Sequence, residues 1–280
     1  MKRYNAVISF VGAVLLCQVS FFKVAAMGES FLLRQVGCSK KTVKVGGCAR
    51  RYPPCSTFKL PLALVAKEAG VIKSATQPQL RYNARKHGRD TYLAPGRCTP
   101  KKWLKNSVVW YSWEVAQKIG LAKFKQGIRQ LDYGNQDLSR SPLKYAWLTG
   151  EFEGRQLKNG RLAQGCVTGS LRISPKEQLD FLEKLVSEQH SAFSKQTQKF
   201  VKDICPTKAK LSDGTPVYGK TGAGTLKSGR KIGWLVGWTK NKDKDYCYAY
   251  LNENEDSKAT VKERWQNVKY RLEKAFGDKA

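Results

Sequence analysis

Ser56-Thr57-Phe58-Lys59 opens the apolar run Leu60-Pro61-Leu62-Ala63-Leu64-Val65-Ala66. At a helix start, S-x-x-K sets a hydroxyl beside backbone N–H groups that have no partner within the helix, at the positive end of its dipole. A lysine three positions on lies on the same face, about one turn away. An alcohol becomes a nucleophile when a neighbouring base takes its proton. An amine can be that base only when uncharged, so its ordinary pKa of ~10.4 must be lowered by apolar surroundings. The chemistry that follows is nucleophilic attack by Ser56 with Lys59 as its base. Pro61 falls in the first turns, where proline is best tolerated. Taken alone, the same letters also describe a capping serine followed by a surface lysine.

Two further elements separate these readings. Ser107-Val108-Val109 offers a second hydroxyl with an apolar wall, and Lys220-Thr221-Gly222, after Val217-Tyr218-Gly219, offers a cationic strand edge. In the order S-x-x-K, S-x-V, K-T-G, the chain resembles the serine β-lactamase and penicillin-binding family. More narrowly it resembles the class D (OXA-type) β-lactamases. Tyr133-Gly134-Asn135 matches that class's Y-G-N. Trp110-Tyr111-Ser112, Leu171-Arg172-Ile173-Ser174 and the stretch from Gly233-Trp234 to Gly237-Trp238 resemble its surroundings. The likeness covers most of residues 50–276.

The resemblance implies a role for each matching position. Ser56 is acylated by the carbonyl of a β-lactam, and Lys59, carboxylated by CO₂, serves as general base. Ser107 relays a proton towards the leaving nitrogen, and Val109 lines the lysine's pocket. Lys220 and Thr221, with Gly222, hold the substrate carboxylate. The N–H groups of Ser56 and Ala223 form the oxyanion hole. No metal and no cofactor beyond the carbamate on Lys59 is implied. The partner is a small β-lactam; oligomeric state is left open.

The chain departs from the family pattern in places. The family carries a tryptophan just before the G-x-L-R-I-S stretch, whose ring nitrogen supports the carbamate. Trp147-Leu148-Thr149 takes that place if residues 150–168 are an insertion; without one, Cys166 does. The glycines at 150, 154, 160 and 165 suit a solvated excursion. The family's carboxylate-binding arginine has Lys262 nearest its position, with Arg264 the other candidate; a lysine lacks the bidentate fork. Gly224 and Thr225 lead into LKSGRK, an edge of the site whose substrate range is not legible.

Other readings carry less of the sequence. Gly214 to Thr221 matches G-x-x-x-x-G-K-[ST], but no helical apolar period follows it. The only E-x-x-x-N that could serve a class A mechanism, Glu263 to Asn267, falls after K-T-G. Reading Tyr133-Gly134-Asn135 as a class C Y-x-N is weaker, since Ser107 already fills that role. A β-lactam sensor that stays acylated, or a D,D-peptidase-like penicillin-binding protein, shares the acylation step and is the nearest alternative.

These residues need a fold to converge. The chain has 280 residues, is 41% hydrophobic, and carries 51 Lys+Arg against 22 Asp+Glu, a net charge of +29. Such a mix excludes a disordered or collagen-like chain. With only His87 and His190 and no C-x-x-C, a His-rich metal site is not expected. Residues 30–45 and 232–252 read as strands. Residues 57–69, 101–119, 123–131 and 176–202 read as helices, as does the end of the chain from Lys258 to Phe276. The fold class expected is α/β (α+β). A mixed, mainly antiparallel sheet is formed by both terminal regions with flanking helices, and an all-α lobe is inserted at about 75–200.

Residues 1–26 have the layout of a secretory signal peptide: Lys2 and Arg3, an apolar run broken by Lys23, then Val24-Ala25-Ala26. Residues 27–280 are then one catalytic domain, secreted to a bacterial periplasm without a stable membrane anchor. Export permits disulfides, and Cys38–Cys48 is the favoured pair among the seven cysteines that remain of eight. The densest basic run comprises Arg81, Arg85, Lys86, Arg89, Arg97, Lys101, Lys102 and Lys105. No nucleic-acid motif accompanies it, and a solvated basic surface without nucleic acid as partner is expected.

Overall fold

The computed structural model describes residues 28–38, 40, 42–87, 95–139, 143–156, 162–253 and 261–277. The leader expected over residues 1–26, with Cys17, lies outside them, as does Arg89. The α/β class is as expected. A six-stranded sheet runs β2 (Thr42–Val45), β1 (Glu29–Gln35), β10 (Lys244–Asn252), β9 (Lys231–Asn241), β8 (Pro216–Thr225), β7 (Thr207–Lys210). Every pairing in it is antiparallel, so an N-terminal hairpin closes onto strands from the C-terminal third.

The two faces of the sheet are separated by the period-2 rule of a strand. Along β10, Tyr248 and Tyr250 join Phe31, Leu33 and Leu235 beneath the last helix, α8 (Val261–Phe276), whose Trp265, Val268 and Leu272 are buried there. The alternate residues Cys247, Ala249 and Leu251, with Leu32 and Val236, face the main core. That core is closed by α6 (Pro175–Val186) and by the central helix α1 (Lys59–Glu68). Lys59 through Ala66 are all buried, so α1 is covered on every side up to its last residues, Lys67 and Glu68.

The residues between the two halves of the sheet supply α2 (Ala84–His87), α3 (Pro100–Asn106), α4 (Val109–Ile119), α5 (Leu121–Gln130) and α7 (Lys195–Ile204). The helical stretch read over 101–119 breaks into α3 and α4 at Ser107, and that read over 176–202 into α6 and α7. Two small antiparallel pairs, β3 (Leu80–Arg81) with β4 (Arg97–Cys98) and β5 (Thr149–Gln156) with β6 (Leu162–Thr168), complete the described elements, so the lobe expected to be all-α at about 75–200 is mainly helical and carries two strand pairs. The seven basic residues from Arg81 to Lys105 that lie among the described residues are all exposed. Among the described residues no helix is long and apolar enough to cross a membrane.

The staple expected between Cys38 and Cys48 is not formed; both are free thiols. Strand β2 runs back from the β1–β2 turn, leaving Cys38 in the turn and Cys48 beyond the strand's far end. There the Cys48 thiol donates to Val45 O and Gly46 O, each at 3.5 Å. A four-residue strand, rising ~3.4 Å per residue, already exceeds the ~7 Å that a disulfide spans between α-carbons.

Candidate active site

Ser56 lies in a 3-10 turn, Cys55–Phe58, that runs directly into α1 at Lys59. Chain entry is sharp: Cys55 has φ +50°, a left-handed conformation uncommon outside glycine and frequent where strain serves a site. Ser56 stays half-buried while its neighbours Cys55, Thr57 and Phe58 are buried. Lys59 Nζ lies 2.9 Å from Ser56 Oγ. The lysine is 0% exposed. Burial disfavours the ammonium and pulls its pKa from an ordinary 10.5 down to about 7; the nearby Cys55 and Cys98 thiols oppose this weakly. A lysine held in this way can carry an uncharged amine at neutral pH, as acyl transfer on the adjacent hydroxyl requires.

The second hydroxyl and the second lysine meet in the same way. Ser107 caps α3 in the left-handed conformation, φ +57°, and its N–H returns to Trp103 O. Its Oγ accepts from Lys220 Nζ at 2.9 Å; the same amine donates to Thr221 O at 2.9 Å. Lys220, in β8, is 2% exposed. Burial, then the charge of Lys59, hold its pKa well below the ordinary lysine value, so the two amines sense one another. Val109, half-buried, begins α4 and packs on the core that encloses Lys59.

Gly222 explains how β8 reaches the turn of Ser56. A Cβ built there would stand 2.9 Å from Pro54 O and 3.2 Å from Thr57 N, so only glycine lets the strand lie against the turn. Thr221 beside it is half-buried and Ala223 exposed, at the cleft edge. Trp147 stacks on Phe58 with ring centroids 4.9 Å apart and planes at 22°. Its carbonyl accepts Cys55 N–H at 3.0 Å. Among the described residues the buried Trp147 indole Nε1 finds no hydrogen-bond partner, a costly state for a donor.

The penicillin-binding-protein transpeptidase domain profile matches residues 29–269. β-Lactamase OXA-9 of Klebsiella pneumoniae is 32% identical over 219 residues, which span 74% of this chain and 73% of that protein. The chain belongs to the class D β-lactamase family. The crystal structure of the OXA-427 class D β-lactamase superposes with a TM-score of 0.69 at 30% identity, over 88% of this chain and 99% of that one. The C-terminal domain of the Bacillus licheniformis BlaR penicillin receptor has the same fold, with a TM-score of 0.71 at 21% identity, over 91% and 93% of the two chains.

In this class D chain the 150–168 segment is a hairpin of β5 and β6, paired from Thr149 with Thr168 to Gln156 with Leu162. Its base is sealed where Gly169 N donates to Leu148 O at 2.6 Å and Leu171 N to Ala146 O at 3.0 Å. The chain therefore leaves after Leu148 and returns at Gly169, which puts Trp147 beside the Cys55–Phe58 turn, while Cys166 is held opposite Glu151 within the hairpin. The G-x-x-x-x-G-K-[ST] match ends in the middle of β8 rather than at a helix start, which removes a phosphate loop.

Lys262, the residue nearest the family's carboxylate-binding arginine by sequence, is exposed on the first turn of α8. The structure brings Arg264 to the site instead. At 5% exposure its guanidinium donates to Gly222 O at 2.7 Å, and to Trp234 O at 3.5 Å. The helical period decides between them, since Arg264 shares the inner face with Val268 and Leu272. Gln178 escaped the sequence reading altogether; its only signal is a polar residue within the buried stripe Pro175, Leu179, Leu182 of α6. Among the described residues no group of three His, Cys, Asp or Glu side chains converges as a metal site would need.

Proposed function

We propose that this chain hydrolyses β-lactam antibiotics through an acyl-enzyme on Ser56. The observation that carries this reading is the 2.9 Å approach of Ser56 Oγ to the amine of the wholly buried Lys59. The uncharged amine takes the hydroxyl proton as Oγ bonds to the lactam carbonyl carbon. The N–H groups of Ser56 and Ala223 receive the developing oxyanion. As the ring C–N bond breaks, Ser107 passes a proton to the leaving nitrogen and is resupplied from Lys220, its neighbour at 2.9 Å. The proton gained at Lys59 then passes to Lys220, which senses its charge, so that both groups are restored. Water attacks the ester, losing a proton to the freed base at Lys59, and that proton goes to Ser56 Oγ as the ester C–O bond breaks and the ring-opened acid leaves. Lys220, Thr221 and the strand at Gly222 hold the substrate carboxylate, with Arg264 rather than Lys262 as the further cation.

The buried pocket at Lys59 fits a CO₂-derived carbamate, since a neutral amine captures CO₂ and the Trp147 indole N–H beside the turn lacks an acceptor. Bound there, the group supplies a carboxylate oxygen as general base in both halves of the reaction. Burial at 0% exposure keeps water from the amine, and Val109, packed on the same core, is read as lining its pocket. No metal or organic cofactor is proposed. The chain is read as exported by residues 1–26 to a bacterial periplasm and as one catalytic domain over residues 27–280.

Intact-mass spectrometry of the protein mixed with a penicillin, followed over time, tests this. An adduct that forms and decays is the expected result, with none on Ser56→Ala. An adduct that persists identifies a β-lactam sensor or a penicillin-binding protein of the D,D-peptidase kind. Full turnover by Ser56→Ala overturns the nucleophile.

A further inference from the structure

The Y-G-N motif meets α6 behind the nucleophile's turn. Gly134, at φ +60°, lies so close to Arg172 O that a Cβ would stand 2.1 Å from it. Asn135 ties down the same segment, donating to Ser170 O at 2.9 Å and accepting Arg172 N–H at 2.8 Å. These contacts aim Tyr133 inwards. Its hydroxyl donates to Gln178 Oε1 at 3.2 Å. Gln178 Nε2 donates to Thr57 Oγ1 at 2.8 Å, and the Thr57 hydroxyl donates to Pro54 O at 2.7 Å. Tyr133, Gln178 and Thr57 are no more than 1% exposed.

Every donor in this chain points the same way, and aligned bonds in a low-dielectric interior strengthen one another. The chain ends on the carbonyl that precedes the turn. Pro54 O also accepts Thr57 N–H at 3.2 Å, and it is the atom against which Gly222 packs. The turn has no side-chain cap of its own. Both hydrogen-bond partners of the Gln178 amide lie outside α6, so it answers to the turn and not to the helix.

We propose that Gln178 is a positioning residue for acyl transfer. With Tyr133 and Thr57 it fixes the Pro54–Ser56 backbone, so that Ser56 Oγ and the N–H groups of Ser56 and Ala223 converge on one carbonyl. The proposal rests on the reading of Ser56 as nucleophile. Loosening the turn misaims the oxyanion donors in the transition state while leaving the carboxylate-binding residues on β8 in place, so rate falls and affinity holds.

The test is single-turnover acylation of the full chain by a penicillin, with Gln178→Met and Thr57→Val beside the wild type. Gln178→Met and Thr57→Val are expected to acylate roughly 10- to 100-fold more slowly, with substrate dissociation constants within about twofold of wild type. Thr57→Ser, which keeps the hydroxyl, recovers most of the rate lost in Thr57→Val. Val268→Ala, in the core beneath α8, lowers the melting temperature without that loss of rate. If Gln178→Met fails to fold, Tyr133→Phe removes one hydroxyl from the same chain and keeps its ring against Phe58; a slower acylation with unchanged affinity is again expected. Wild-type acylation rates in the folded variants, or a loss of rate that follows melting temperature and appears equally in Val268→Ala, overturn the proposal. A wild type that takes no adduct at Ser56 overturns this reading and the proposed function together; a wild type that acylates beside equally fast variants overturns this one alone.

Discussion

Gly222 and Pro54 touch across the site: a methyl group on Gly222 would stand 2.9 Å from the Pro54 carbonyl oxygen. Both are backbone neighbours of the proposed oxyanion donors, so their contact sets the separation of Ser56 N–H from Ala223 N–H. Gly222→Ala is expected to push β8 off the turn. Acylation falls about 100-fold and the fold loses about 1–3 kcal/mol, the usual effect of overpacking. Acylation kinetics and urea denaturation of the same preparation check both.

Lys59 makes stability depend on pH in an unusual direction. The unfolded chain keeps the lysine proton up to the ordinary 10.5, whereas the folded chain releases it near 7. Between those values the unfolded state binds more protons, so stability rises with pH; below about 7 both states are protonated and the ammonium is buried at full cost. Lys220 adds a contribution of the same sign. In CO₂-depleted buffer, Lys59→Met is expected to be inactive yet more stable than wild type by a few kcal/mol at pH 6. The advantage shrinks as the pH approaches 9. Urea denaturation at the two pH values checks this.

The same burial explains which parts of the site were legible. Ser56 and Lys59 lie one turn apart, a spacing that survives in a linear text; Ser107 and Lys220 each sit in a short motif, but the bond between them spans 113 residues and only the fold brings those motifs together. The sheet was legible for a similar reason, since β1 and β10 alternate between two cores. Trp147 was legible only on the assumption of an insertion, because a hairpin that leaves and returns to one point is invisible until Gly169 N meets Leu148 O. Gln178 and Thr57 touch across 121 residues of sequence, and no local pattern encodes such a bond. The Cys38–Cys48 pairing failed because spacing suggests proximity, whereas strand direction decides it.

Trp147→Phe separates packing from chemistry. Phenylalanine retains a ring against Phe58, now stacked at 4.9 Å, and removes a buried N–H that has no acceptor. The melting temperature is expected to change little. If that N–H serves a carbamate on Lys59, the variant needs more bicarbonate for half-maximal activity, and deacylation slows more than acylation, by about 10-fold or more. Activity against bicarbonate concentration, with a ¹³C label read by NMR, checks both. An unchanged bicarbonate requirement removes Trp147 from this role.

Lys262 and Arg264 are two positions apart and face opposite ways, so their replacements diverge. Lys262 is exposed, and Lys262→Ala is expected to leave kcat and KM within about twofold. Arg264 donates from a buried position to Gly222 O, within the strand that carries Lys220 and Thr221. Arg264→Met removes a charge-assisted bond worth about 1.5–3 kcal/mol and the cation nearest that strand from α8. KM for a penicillin is expected to rise about 10-fold or more, with a lower melting temperature, and in Arg264→Met with Lys262→Ala the effects add because the side chains share no partner. A KM that rises for Lys262→Ala and not for Arg264→Met would return the carboxylate to the exposed lysine. Steady-state kinetics of the three variants against one penicillin decides between them.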